Sequence, residues 1–206
     1  MGIYILEGLG MGLVLACSLG PIFFALTQTS IEEGVLPGMT VGLGIWISDL
    51  IIVSLYYFFI YEVKDSIESE HFKFWMGISG AIVMTAFGLY LMAKKPQLDY
   101  SNKKHNYKNY IGFWLKGFLI NTINPFTIVF WLSIISTYII GRQLESSNTI
   151  IMLSSILVVI VLSDTGKVFL ANSIKQMLTP KHVAWISNLS GLILILFGIV
   201  MAYRVI

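Results

Sequence analysis

Six long apolar runs, separated by short polar stretches, account for most of the chain. They cover about 5–27, 38–61, 74–93, 113–140, 149–170 and 183–203. As α-helices, at about 1.5 Å per residue, each is long enough to cross the roughly 30 Å of hydrocarbon in a bilayer. Two runs are broken: Gly20-Pro21 interrupts the first and Asn124-Pro125 the fourth. A proline in mid-helix removes a backbone hydrogen bond and clashes with the carbonyl four residues before it. At the first position of a new helix it costs nothing, because that N–H has no partner anyway. The pattern predicts an all-α integral membrane protein of six transmembrane helices, with helices 1 and 4 broken.

The runs fall into two sets of three. The stretch 94–110 (KKPQLDYSNKKHNYKNY) is the most polar in the chain and has no helical apolar period. It divides a first three-helix repeat, 1–93, from a second, 111–206, within one membrane domain. Each set has the order broken run, run with an acid, plain run. Phe87-Gly88 and Phe197-Gly198 lie at the same place in runs 3 and 6, and Ser79-Gly80 and Ser190-Gly191 precede them. With three spans per half, the second repeat must be inverted relative to the first.

Composition agrees with a chain that is nearly all membrane. Only 12% of the 206 residues are charged, against about 25% in soluble domains. The net charge of +2 is too small to argue for nucleic acid. The single cysteine, Cys17, excludes a disulfide framework within the chain. Val14 to Cys17 loosely resembles a lipoprotein cleavage box, but Glu7 stands where a signal peptide is basic. Leu6 likewise argues against myristoylation at Gly2. Lys and Arg favour cytoplasmic loops. Lys94, Lys95, Lys103, Lys104, Lys108, Lys116, Lys175 and Lys181 fall on one side, against Lys64, Lys73, Arg142 and Arg204 on the other. The bias predicts a cytoplasmic linker 94–110 with both termini outside.

Two acids stand out against this background. Asp49 is the only charge in run 2, and Asp164 lies near the end of run 5 with Lys167 three residues on. A carboxylate at membrane depth survives only where it is used or paired. Desolvation disfavours its charged form, which makes Asp49 a candidate proton carrier. Asp164 has Lys167 on the same helical face as an ion-pair partner, and becomes Asp49's equivalent if Lys167 snorkels to the interface. Beside the breaks, the N–H groups opening the helices after Pro21 and Pro125 suit an anion such as an amino-acid carboxylate. Gly20, Asn121, Asn124, Thr122, Thr27 and Gln28 are the neighbouring backbone and polar groups of that substrate cradle. Gly34, Gly38 and Gly42 form a stripe of small residues entering run 2, which suits close packing on the broken first span; Gly44 and Ser48 form a second stripe.

Other chemistries lack their residues. His71, His105 and His182 all fall in connections, and with one cysteine they assemble no metal site. No cofactor motif, phosphate loop or Ser/His/Asp order at membrane depth is present, so no enzyme is expected. An intramembrane aspartyl protease would use two aspartates, but neither acid has a Gly-x-Gly-Asp setting.

Together the Gly-Pro break, the Gly-rich entry to Asp49 and the segment Gly117-Phe118-Leu119-Ile120-Asn121-Thr122-Ile123-Asn124-Pro125 resemble the lysine-exporter (LysE/RhtB) family of amino-acid efflux proteins. The resemblance covers nearly the whole length. It implies proton-driven amino-acid export across the bacterial cytoplasmic membrane, with an amino acid, protons and the lipid bilayer as partners and a homodimer open. The chain departs from the family pattern at Leu19-Gly20-Pro21 and Ser48-Asp49, both conservative for backbone shape, and at Phe126, where family members often carry Lys; that change of charge beside the site leaves the transported species open. A cation or heavy-metal exporter of related fold and a non-transporting assembly factor are the alternatives.

Overall fold

Where the prolines break the apolar runs, the chain bends. In the computed structural model, residues 2–17, 20–93, 107–174, 177 and 179–205 are described. Helix α1 (Gly2–Ala16) gives way to α2 (Pro21–Glu33), and α5 (Tyr107–Ile123) to α6 (Pro125–Ile135). The bends are 67° and 60°. Both second helices carry their proline in the first turn, where no backbone bond is lost. A π-helical turn, Ser136–Gly141, continues α6. The remaining helices are α3 (Val35–Glu68), α4 (Glu70–Ala93), α7 (Ser146–Ile174) and α8 (Pro180–Val205). Among the described residues there is no strand.

Two segments are long and apolar enough to cross a membrane alone, Val35–Phe59 and Ser146–Ile174. Each bent pair passes as one further span. Runs 3 and 6 fall on α4 and α8, whose apolar parts, Gly77–Ala93 and Ser187–Tyr203, are shorter and sit at the low end of the spanning range. The polar linker lies outside the described residues from 94 to 106; its last residues, 107–110, already belong to α5.

The surface is apolar and the interior holds the polar groups. Phe58, Leu162, Phe169, Leu170 and Leu196 are exposed, whereas Asp49, Asp164, Asn121 and Thr127 are buried. Water would reward the opposite arrangement; lipid rewards this one. The chain is a multi-pass membrane protein.

Helix pairs close on glycine. α1 packs on α7, where an added Cβ at Gly8 would lie 2.7 Å from the Met152 carbonyl oxygen. α5 packs on α3, with Gly117 against the Val41 carbonyl and Gly44 against the Trp114 carbonyl. α4 packs on α8, where an added Cβ at Gly191 would lie 2.6 Å from the Gly88 carbonyl oxygen. Backbones come this close only where side chains are absent. Gly38 follows the sequence reading and meets Ser30 of α2. Gly42 does not: its space is taken by the Trp46 ring. The second stripe, Gly44 and Ser48, faces α5, where Ser48 Oγ donates to Thr122 Oγ1 at 2.8 Å; Thr122 spends its own proton on the Phe118 carbonyl. Gly34 turns α2 into α3 at φ 104°, a conformation that L side chains rarely adopt.

At one end of the bundle, Arg142 donates to Glu7 at 3.0 and 3.2 Å and lies over the Tyr138 ring, tying α1 to the π-turn. His71 and His182 are not in connections; they sit in the first turns of α4 and α8. His182 and Thr179 exchange hydrogen bonds across the start of α8. His105 lies outside the described residues.

Candidate functional site

A cavity of about 470 Å³ opens where both helix breaks meet both acids. Gly20, Pro21, Asn124, Asp49, Asp164 and Lys167 all contribute to its wall. Asn121 stands one hydrogen bond behind Asp49, and Pro125 takes the first helical position after Asn124. Thr27 and Gln28 do not join. Thr27 bonds back to the Phe23 carbonyl and Gln28 donates to Glu32, both within α2.

The two helix starts differ. Asn124 caps α6: its Oδ1 accepts the Phe126 N–H at 3.2 Å. Gly20 has no side chain to cap α2, so the first N–H groups of α2, beginning at Ile22 on the cavity wall, have no side-chain cap. An uncapped helix start carries partial positive charge from such groups.

The two acids also differ. Asn121 Nδ2 and Trp131 Nε1 both donate to Asp49 Oδ1, each at 2.9 Å. Both bonds land on one oxygen and come from neutral groups, which leaves Oδ2 for the cavity. Behind Asp49 the donors form a chain. Asn124 Nδ2 donates to Thr127 Oγ1 at 3.0 Å, and Thr127 Oγ1 donates to Asn121 Oδ1 at 3.0 Å. Asn121 then passes the direction on to Asp49 and also reaches the Ile45 carbonyl. Every member is satisfied, so the network fixes one arrangement.

Asp164 instead has both oxygens engaged. Lys167 Nζ donates to Oδ1 at 2.9 Å and Trp46 Nε1 to Oδ2 at 3.2 Å. The ion pair is nearly enclosed, with side-chain exposures of 16% for Lys167 and 3% for Asp164. Lys167 therefore stays with its carboxylate rather than snorkelling outward. It also lines the cavity.

Trp46, Trp131 and Thr127 hold the acids and their network, and sequence reasoning missed all three. A tryptophan away from a run's ends was the available signal, since a buried indole N–H needs an acceptor. Among the described residues, no group of three or more His, Cys, Asp or Glu is placed to hold a metal.

The LysE type translocator family model matches residues 13–205. The chain is also 26% identical, over 198 residues, to a Bacillus subtilis (strain 168) protein named "Putative amino acid efflux protein YcgF", covering 94% of this chain and 92% of that one. No solved structure matches it.

Proposed function

Since the chain belongs to the LysE type translocator family, we propose that it is a secondary transporter. It exports amino acids or related small metabolites across the bacterial cytoplasmic membrane, by proton antiport. The observation that carries this reading is the single cavity onto which Asp49, Asp164, Lys167 and both helix breaks open. A zwitterion has one group for each feature. Its carboxylate lies between Lys167 and the uncapped start of α2; its ammonium meets Asp49 Oδ2. Asp49 holds the ammonium when ionised and releases it when protonated, which exchanges a proton for the cargo. Asp164 keeps Lys167 in position.

The same reading takes the protein as six spans in two inverted repeats, 1–93 and 111–206, joined by a cytoplasmic linker 94–110. The helix pairs support it. Exchanging the halves turns the α1–α7 contact into the α5–α3 contact and returns α4–α8 to itself.

Proteoliposomes loaded with all twenty amino acids test the proposal. With the outside made acidic, amino acids should leave several-fold faster than at matched pH. No release of any amino acid in either condition would overturn the export reading. Release that ignores the gradient overturns the antiport alone.

A further inference from the structure

Resting on that reading, we infer that the cargo is an amino acid with an uncharged, apolar side chain. The acidic and basic side chains on the cavity wall, among the described residues, are Asp49, Asp164 and Lys167. The α-carboxylate and α-ammonium of any amino acid take Lys167 and the open oxygen of Asp49. Of the three, Asp164 alone is then left for the side chain. A lysine or arginine cargo would bring a second cation, but both oxygens of Asp164 already hold Lys167 and Trp46. An aspartate or glutamate cargo would bring a second anion, and Lys167 is already shared between Asp164 and the cargo's α-carboxylate. Either would lie unpaired among apolar groups, which is strongly unfavourable.

The rest of the wall fits the opposite kind of group. Ile45, Met84, Phe126, Ile160, Leu194 and Phe197 line the cavity from α3, α4, α6, α7 and α8. At about 470 Å³ the space exceeds what the α-groups need, and pockets of a few hundred Å³ hold small ligands. The surplus is apolar. Branched, thioether and aromatic side chains fill it and leave water behind. Selection among them is shallow, on the order of tenfold per methylene; selection against charge is steep.

The loaded proteoliposomes decide this by comparing rates. Leucine, isoleucine, methionine and phenylalanine should leave at least tenfold faster than lysine, arginine, aspartate and glutamate. A charged or small polar amino acid leaving fastest overturns the inference and leaves the export reading standing. No efflux at all overturns both. A second arm uses Phe126→Asp, which puts a carboxylate into the slot. It lies in the first turn of α6, where the helix dipole favours an acid. The lysine-to-leucine efflux ratio should rise at least tenfold. An unchanged ratio overturns the assignment of this wall to the cargo's side chain.

Discussion

Trp131 donates its indole N–H to Asp49 at 2.9 Å, across 82 residues of sequence. The contact ties the second bent span to the acid of α3 and fixes which carboxylate oxygen is left for the cavity. The division of Asp49 into a held oxygen and an open one separates it from Asp164.

Asp49→Asn tests that separation. The amide keeps Oδ1, so it still accepts from Asn121 and Trp131, and the fold should survive. The open position becomes an N–H₂ group that repels an ammonium and carries no exchangeable charge. Gradient-driven efflux should fall to background, while thermal unfolding of the purified variant stays close to the parent's. Retained gradient-driven efflux would remove Asp49 from the coupling role.

Asp164 and Lys167 call for a double-mutant cycle. Asp164→Asn alone leaves Lys167 without its counter-charge, at a cost of roughly 3–5 kcal/mol. Adding Lys167→Gln removes the stranded cation and should recover much of that loss. Thermal unfolding of the three variants measures the coupling. An Asp164→Asn protein as stable as the parent would show that the pair does not hold in the bilayer.

Two glycines on α5 give a controlled comparison. Gly117 meets the Val41 carbonyl, whereas an added Cβ at Gly112 meets nothing within 4 Å. Gly117→Ala should destabilise by roughly 1–3 kcal/mol through overpacking. Gly112→Ala should be neutral or slightly stabilising, because it lowers the entropy of the unfolded chain. Equal unfolding temperatures for the two variants would contradict the close approach of α3 and α5.

Orientation is open to thiol labelling. In a Cys17→Ser background, Ser101→Cys places one thiol in the linker. It should resist impermeant reagents in intact cells and react after lysis, as the excess of Lys on that side requires. Labelling of intact cells reverses the topology.

The costly features were the legible ones. Pro21 and Pro125 had to begin helices, and Asp49 and Asp164 had to face an interior, because lipid tolerates neither a broken backbone nor a bare charge. Partners chosen by tertiary contact left no local trace. Trp46 and Trp131 are typical residues of apolar runs until their indoles meet the acids. Gly42 read as a packing residue and instead makes room for Trp46. Thr27 and Gln28 lie near a break in sequence, but they bond within α2 and stay out of the cavity. The π-turn at Ser136–Gly141 has no signature in composition.

The chain of donors behind Asp49 is built from two carboxamides and one hydroxyl. Carboxamides hold their protons too firmly to pass them along, so the chain insulates Asp49 on that side. In the proposed transport cycle a proton reaches the carboxylate through Oδ2, from the same opening that admits the cargo's ammonium. On that proposal proton and cargo exclude one another at a single atom. In the proposed antiport the protonated, empty carboxyl makes the return step of every cycle, so one-for-one exchange holds as long as the empty, ionised carboxylate rarely turns from one side of the membrane to the other.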